Sequence, residues 1–178
     1  MAPLPGRGTK FIFPFREMLH LISFEFLKID ESLHFDFIME IIIKNEKELD
    51  GVVEQLLTFA EGRKKFFLKG DLGAGKTTLV KAFCRKHEVA DNVSSPTYSL
   101  INEYVFHASG KEKRIYHIDL YRLKDIDEAL NIGIEDYLYN DDYCFVVWAD
   151  VILPIAPEGV VLIEIETQAD SSRKILFL

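Results

Sequence analysis

The spacing of hydrophobic and polar positions predicts that strands and helices alternate along the first part of the chain. Two short apolar runs, MEIII at 39–43 and KKFFLKG at 64–70, are typical of buried strands. The segment between them, KNEKELDGVVEQLLTFAEG at 44–62, predicts an amphipathic helix with Asn45 as its N-cap and Glu48 completing a capping box. The apolar face of this helix consists of Leu49, Val52, Val53 and Leu56.

The middle of the chain changes from this alternation to a predicted hairpin. The segment TTLVKAFCRKH, which starts at Thr77, predicts a helix whose apolar face is formed by Leu79, Val80 and Phe83. Two β-rich runs follow, PTYSLINEYVF at 96–106 and EKRIYHIDLYRL at 112–123. The stretch HASGKE that joins them contains Ser109 and Gly110, which favour a turn, so we expect the two runs to pair as antiparallel strands.

The last third of the chain predicts a broken helix, a buried strand and a closing hairpin. The segment DIDEALNIGIEDYLYND predicts a short helix that is interrupted at Gly133. The run YCFVVWAD is typical of a buried strand, and GVVLIEIET with RKILFL predicts the hairpin. We therefore predict an α/β fold, in which a three-layer domain is built around a mixed sheet with antiparallel hairpins.

The first 38 residues differ in composition from the rest of the chain. The run FIFPFREMLHLISFEFLKIDESLHFDFIME is rich in Phe and Leu, but it is interrupted by Pro14, Arg16, Glu17, His20 and Glu25. These interruptions argue against a membrane-spanning helix and against the apolar core of a signal peptide. We therefore predict a domain over residues 39–178. Residues 1–38 are expected to be an N-terminal extension, either an over-called translation start or a loosely ordered segment.

Composition and charge narrow the possible functions. With 178 residues, of which 48% are apolar and 28% charged, the chain has the profile of one soluble globular domain. Its net charge of −8 argues against a protein that grips nucleic acid alone, which would need a basic face. Any action on nucleic acid is therefore expected to run through a partner. Cys84 and Cys144 have no metal-binding spacing, so we expect buried thiols and a reducing cytoplasm.

The segment GDLGAGKT at 70–77 matches the phosphate-binding pattern G-x-x-x-x-G-K-[ST] at every fixed position. Its glycines allow turns in which consecutive N–H groups point at phosphate oxygens, and the following helix adds a partial positive charge. Lys76 is expected to reach the β and γ phosphates, and the Thr77 hydroxyl is expected to bind Mg²⁺. The motif predicts a P-loop NTPase-like domain that binds a nucleotide through Asp71, Gly73, Ala74, Gly75, Lys76, Thr77 and Thr78.

A P-loop enzyme usually also needs a carboxylate at the end of a second strand, which holds the Mg²⁺ shell or the attacking water. Asp119, after RIYHI, and Asp150, after CFVVWA, are both candidates, and the apolar pattern before Asp150 is the cleaner one. Arg122 and Arg173 are further candidates for contacts with phosphates. The chain has no N-K-x-D sequence for guanine specificity and no arginine-rich lid of the kind that small-molecule kinases use.

Several motifs together resemble the bacterial TsaE (YjeE) family of ATPases. They are GDLGAGKTT, SSPTYSLINEY from Ser94, YHIDLYRL from Tyr116, GIEDY from Gly133 and the aromatic strand around Trp148. The resemblance covers about Met39 to Arg173. It implies a cytoplasmic protein that uses ATP and Mg²⁺ and binds a TsaB–TsaD heterodimer. It also implies a role in threonylcarbamoyl transfer to adenosine 37 of tRNAs that read ANN codons, with tRNA contacted only through the partners.

The resemblance also implies roles for individual residues. It makes Asp119 the catalytic and Mg²⁺-binding carboxylate, beside Lys76, and makes SSPTY a switch-like loop in which Thr97 senses the γ-phosphate. The chain departs from the family at Val147, where the family has a Glu immediately before the Trp. Valine cannot bind a metal ion, so metal binding at this position is lost. ATP turnover is expected to be weak without partners and to be slowed by this residue.

Two other functions remain open at this stage. One is a self-sufficient small-molecule kinase, which would transfer a phosphoryl group to a metabolite without a protein partner. The other is a nucleotide-gated binding module with little hydrolysis, in which ATP only selects the conformation that binds the partner.

Overall fold

The computed structural model describes residues 9–12, for which only the backbone is considered, and residues 38–96 and 98–178. The strands in these ranges are β1 (Thr9–Ile12), β2 (Ile38–Ile43), β3 (Lys65–Lys69), β4 (Ile101–Ala108), β5 (Lys111–Asp119), β6 (Tyr143–Val147), β7 (Val161–Thr167) and β8 (Arg173–Phe177). The helices are α1 (Leu49–Ala60), α2 (Lys76–Lys86), α3 (Ile126–Asn131) and α4 (Ile134–Leu138), with 3-10 segments at Glu46–Glu48 and Ala149–Ile155.

The described strands form one mixed sheet in the order β1-β2-β8-β7-β3-β6-β5-β4. β3 pairs in parallel with β6 on one side and β7 on the other, and β5 pairs in parallel with β6. The other pairs, β1–β2, β2–β8, β7–β8 and β4–β5, are antiparallel. Because parallel strands end at the same edge of a sheet, the carboxyl ends of β3, β5 and β6 lie side by side.

The sheet separates two apolar cores, which confirms the predicted three-layer α/β architecture. On one face, α1 and α2 pack over buried residues that include Val53, Leu56, Phe66, Phe83 and Phe145. On the other face, α3, α4 and the 3-10 segment Ala149–Ile155 cover Ile118, Leu120, Ile134, Val146 and Ile152. The alternation of apolar residues along β5 supplies both cores, since successive side chains of a strand point to opposite faces.

The start of α1 differs in detail from the predicted capping box. Asn45 caps a 3-10 turn, Glu46–Glu48, and α1 begins only at Leu49. The Asn45 side chain accepts a hydrogen bond from the Lys47 N–H at 3.1 Å, while its amide donates to the Glu48 carboxylate. The two predicted residues therefore do pair at the helix entrance: the Glu48 N–H donates to the Asn45 carbonyl at 3.2 Å, and the Glu48 carboxylate accepts from the Asn45 side-chain amide rather than from the Asn45 backbone N–H.

The predicted turns and breaks occur where the sequence indicated them, with two exceptions. Ser109 and Gly110 have φ values of 51° and 73° and close the β4–β5 hairpin, and Gly133 at 72° separates α3 from α4. β4 begins only at Ile101, because the residues before it form a separate loop. The 3-10 segment after β6 was not predicted, and it begins where Trp148 takes a left-handed conformation with φ 59°.

The remaining expectations for the fold concern the N-terminal segment and the cysteines. Thr9–Ile12 pairs with β2, and residues 1–8 and 13–37 lie outside the described residues, so the nature of the extension stays a prediction. Cys84 and Cys144 are buried, free thiols, as expected, and burial raises the pKa of each to about 12. None of the described helices has the length and apolar character needed to cross a bilayer.

Lys65, the first residue of β3, is hydrogen-bonded to α4 and to the turn between α4 and β6. Its buried Nζ donates hydrogen bonds to the carbonyl oxygens of Tyr137 and Asp142 and to Oδ1 of Asn140, each at 2.8 Å. These three acceptors match the three N–H groups of the amine. Burial lowers the pKa of Lys65, and this is the largest influence on it. The buried amine is therefore fully hydrogen-bonded.

We predict that Lys65→Met lowers the free energy of unfolding by about 1–3 kcal/mol, because it leaves buried acceptors without a donor. Lys64→Met is the matched control, since Lys64 makes an exposed ion pair with Asp141 at 2.7 Å and its loss should cost about 0–1 kcal/mol. Urea unfolding of both variants measures the difference. Equal losses would contradict the structural role assigned to Lys65.

Candidate functional site

A glycine-rich loop joins β3 to α2 and is here called the glycine loop, residues 70–75. Gly70, Gly73 and Gly75 have φ values of 144°, 80° and 115°, which residues with a Cβ rarely adopt. Gly75 is also the residue immediately before α2, whose first turn carries the partial positive charge of a helix N-terminus. The loop thus has the strand–loop–helix context that the sequence motif predicted.

Gly70 is needed for a second reason, which is the close approach of another strand. A Cβ on Gly70 would lie 2.3 Å from the carbonyl oxygen of Ile165 in β7, well inside contact distance. At Gly73 and Gly75 a Cβ would meet no heavy atom within 4 Å. The start of the glycine loop is therefore packed against the sheet, while its middle and end face open space.

The Lys76 amine lies against the first residues of the glycine loop. Its Nζ donates hydrogen bonds to the carbonyl oxygens of Gly70 at 2.5 Å and Asp71 at 2.8 Å. It also lies 5.5 Å from the ring centroid of Trp148, within the range of a cation–π contact. Burial lowers the pKa of Lys76, and the carboxylates of Asp119 and Asp71 oppose that effect. The amine is therefore in the electrostatic field of Asp119.

Asp119 is the last residue of β5. It lies near the glycine loop because β5 and β3 both run parallel to β6, which lies between them. It is in register with Val147 of β6, which is in turn in register with Leu68 of β3. Asp119 as a whole is 8% exposed, and its Oδ1 accepts a hydrogen bond from the Tyr121 N–H at 3.1 Å. The structure therefore brings the predicted residues Lys76 and Asp119 to one edge of the sheet.

Asp150, the competing carboxylate, has a different position. β6 ends at Val147, and the left-handed turn at Trp148 leads the chain into the 3-10 segment on which Asp150 is exposed. Trp148 itself is 39% exposed, and its ring centroid lies 5.2 Å from that of Tyr121. The turn places an aromatic side chain, rather than a carboxylate, beside the amine of Lys76.

The other predicted ligands lie on α2 and β8. Thr77 and Thr78 are partly buried in the first turn of α2, and the Thr77 hydroxyl with the Asp119 carboxylate supplies the oxygen donors that Mg²⁺ prefers. The Arg173 Nε donates a hydrogen bond to the carbonyl oxygen of Ala74 at 3.0 Å. The guanidinium was predicted to contact phosphate, and in this structure it holds the backbone of the glycine loop.

A second loop, which precedes β4, contains the predicted switch-like segment. The Asn102 side chain donates to the Ser94 carbonyl at 3.2 Å and accepts from the Ser99 hydroxyl at 2.8 Å, so that it joins both ends of the loop. The Tyr104 hydroxyl donates to the same Ser94 carbonyl at 3.1 Å. Thr97, the predicted sensor of the γ-phosphate, lies outside the described residues.

Asn102 and Tyr104 were missed by the sequence analysis, although an amide within an otherwise strand-like run was a usable signal. Arg122, predicted as a candidate phosphate ligand, lies with its guanidinium carbon 4.8 Å from the ring centroid of Tyr98.

A cavity of about 330 Å³ beside the first turn of α2 is lined by Glu46, Lys47, Leu49, Asp50, Thr78 and Arg85. A larger cavity of about 450 Å³ at the other end of α2 includes none of the predicted site residues.

Comparisons with known proteins agree with one another. The family model described as threonylcarbamoyl adenosine biosynthesis protein TsaE matches residues 43–175. The protein named tRNA threonylcarbamoyladenosine biosynthesis protein TsaE is 43% identical in Haemophilus influenzae over 59% of this chain and 64% of that protein, just under two thirds of its length. Its counterpart in Bacillus subtilis is 33% identical over 75% of this chain and 80% of the relative. The crystal structure of Bacillus subtilis YdiB superposes with a TM-score of 0.60 and 28% identity, over 79% of this chain and 84% of that one.

We predict that Gly70→Ala destabilises the protein more than Gly73→Ala. Both variants place a Cβ at a positive φ, which costs about 1–2 kcal/mol, but only the first also brings the Cβ against the Ile165 carbonyl oxygen. The unfolding free energies in urea measure the difference. If the two variants lost the same stability, the close approach of the loop to β7 would not be a constraint on this residue.

Proposed function

Because the chain belongs to the TsaE family, we propose that it is the ATP-binding and ATP-hydrolysing protein of tRNA threonylcarbamoyladenosine biosynthesis. The observation that carries the proposal is the position of Lys76. Its amine lies against the first residues of the glycine loop and is influenced by the negative charge of Asp119. An ammonium group and loop N–H groups are the parts that bind phosphates in P-loop proteins. The family and the geometry support the same role.

The proposed chemistry is divided among a few side chains. The loop amides and the N-terminus of α2 bind the phosphates of ATP, and Lys76 exchanges its carbonyl acceptors for phosphate oxygens. Thr77 and Asp119 would hold Mg²⁺, which neutralises charge on the phosphates when it is bound. Asp119 is also proposed to orient the attacking water, and Thr97 is proposed to sense the γ-phosphate.

Hydrolysis is proposed to depend on a partner, the TsaB–TsaD heterodimer, in the cytoplasm. Leu72, Tyr98 and Tyr121 carry large apolar groups near the site and are mostly exposed. Exposed apolar groups at a functional site are typical of surfaces that a partner covers. The net charge of −8 supports contact with tRNA only through the partner proteins, since phosphate contacts need a basic face.

A nucleotide-gated binding module with little hydrolysis is the second candidate, and Val147 favours it. Val147 lies in register with Asp119 and is 5% exposed, so an apolar side chain occupies the strand position next to the proposed catalytic carboxylate. Loss of one preorganised transition-state contact typically lowers kcat about 10²–10³-fold. ATP binding through the glycine loop does not depend on this position.

Lys76→Ala tests the main proposal. We expect it to abolish tRNA modification in a reaction reconstituted with TsaB–TsaD, because it removes the cation aimed at the β and γ phosphates. Lys81→Ala is the matched control, since Lys81 is an exposed lysine of the same helix and its loss should leave modification unchanged. Full modification by the Lys76 variant would contradict the proposed function.

Val147→Glu tests whether the chain is a slow enzyme because of this residue. We expect partner-stimulated ATP hydrolysis to rise, by up to about 10²-fold, and to depend more steeply on Mg²⁺, because the new carboxylate lies beside Asp119. Val147→Gln, which has a similar size without the charge, should give no gain. Asp150→Asn should change little. Steady-state ATP hydrolysis is measured for all three variants. If the hydrolysis rate collapsed in Asp150→Asn and did not rise in Val147→Glu, the catalytic carboxylate would be Asp150 rather than Asp119.

A further inference from the structure

His117 is a buried polar residue that the proposed chemistry does not use. It lies in β5 with no exposed surface, and among the described residues neither its Nδ1 nor its Nε2 has a hydrogen-bond partner. Buried polar groups are almost always paired, and an apolar residue of similar size would be more stable at such a place. The histidine therefore imposes a cost on the fold that packing does not explain.

The sheet register places His117 between two parts of the candidate site. Side chains two apart on a strand share a face, so His117 lies on the same face of β5 as Asp119. Across the β4–β5 pair His117 is directly opposite Asn102, which hydrogen-bonds the Ser94 carbonyl. The imidazole therefore lies between two groups. One is the Asp119 carboxylate, two residues along the same strand, and the other is the Ser94 carbonyl, which is bound by Asn102 of the neighbouring strand.

Ser94, Asn102 and Tyr104 form a hydrogen-bonded group, here called the Ser94 clamp. The Ser94 N–H and carbonyl contact the Tyr104 hydroxyl at 3.2 and 3.1 Å. Asn102, which holds the Ser94 carbonyl, lies directly opposite His117 in the sheet, so the Ser94 backbone is close to the imidazole. The two nevertheless make no hydrogen bond of normal geometry.

We propose that His117 is a positioning residue that links Asp119 to the Ser94 clamp. With nucleotide bound, the imidazole donates one ring N–H to the Ser94 carbonyl, which a small displacement of the clamp brings within reach. This bond fixes the start of the second loop relative to Asp119. The inference rests on the proposed nucleotide site and extends it to a residue that touches neither phosphate nor metal.

The first experiment compares His117→Leu with the wild-type protein. Because the leucine removes unpaired buried nitrogens, we expect an equal or higher melting temperature. We also expect ATP affinity to change less than about twofold, since the glycine loop is intact. The kcat of partner-stimulated ATP hydrolysis should fall about tenfold, the effect of one lost hydrogen bond on a transition state.

Conservative replacements separate positioning from packing. His117→Asn and His117→Gln place an amide N–H near the positions of Nδ1 and Nε2, and one of the two should recover most of the kcat. Tyr116→Phe is the matched control, because it removes a polar atom from the adjacent residue of β5 on the opposite face of the sheet. It should leave kcat unchanged.

Imidazole ¹⁵N NMR provides a readout that does not need hydrolysis. On addition of a non-hydrolysable ATP analogue with Mg²⁺, one ring N–H of His117 should become slow to exchange and shift to a hydrogen-bonded position. The signal is assigned by its loss in His117→Gln. A purely structural histidine would show no response to the nucleotide.

The outcomes separate this inference from the proposed function. A wild-type protein that binds the ATP analogue without any change at His117, or a His117→Leu variant with normal kcat, would overturn the inference and leave the proposed function standing. Failure of the wild-type protein to bind ATP would overturn both. A selective fall in kcat, its rescue by one amide variant and the nucleotide-dependent imidazole signal together would support the link.

Discussion

The parallel pairing of β3 with β6 and β7 determines where the glycine loop, Val147 and Asp119 lie. Because β5 also runs parallel to β6, the carboxyl ends of four strands, β7, β3, β6 and β5, lie at one edge of the sheet. The glycine loop leaves the end of β3, Val147 ends β6 and Asp119 ends β5, so the candidate residues are concentrated where the strands stop. The antiparallel strands extend the sheet on both sides, and two of them also contribute to this edge. β8 contacts the glycine loop through Arg173, and β4 holds the second loop through Asn102 and Tyr104.

The glycine loop is held from several directions at once. Gly70 lets the backbone approach β7, Arg173 binds the Ala74 carbonyl and Lys76 bonds two carbonyls at the start of the loop. A loop fixed in this way would have little conformational freedom to lose on binding an anion, and preorganisation of this kind favours binding. Burial makes the ammonium of Lys76 less favourable, and the nearby Asp119 partly restores it.

Features that lower stability are concentrated near this edge. Trp148 is held in a left-handed conformation, His117 is buried without a hydrogen-bond partner among the described residues, and Tyr121 is largely exposed. Each is unfavourable for an isolated domain, since strained backbone, unpaired polar atoms and exposed aromatic rings all cost free energy. Lys65, far from this edge, shows the opposite pattern, with every N–H of a buried amine satisfied. In proteins generally, such unfavourable features are concentrated at functional sites.

The local elements, the glycine loop and the departure at Val147 could all be recognised in the amino-acid pattern. The apolar runs fixed the strands and helices, and the spacing of glycines with Lys76 fixed the loop, because each depends on the conformation of neighbouring residues. The positions of the two candidate carboxylates could be seen only in the folded protein: Asp119 ends a strand beside the glycine loop and Asp150 lies on an exposed 3-10 segment, because strand order and the turn at Trp148 place them there. Only the tertiary structure showed that Arg173 contacts a residue 99 positions away, because hydrogen bonds between distant segments follow from the register of the sheet and leave no local pattern.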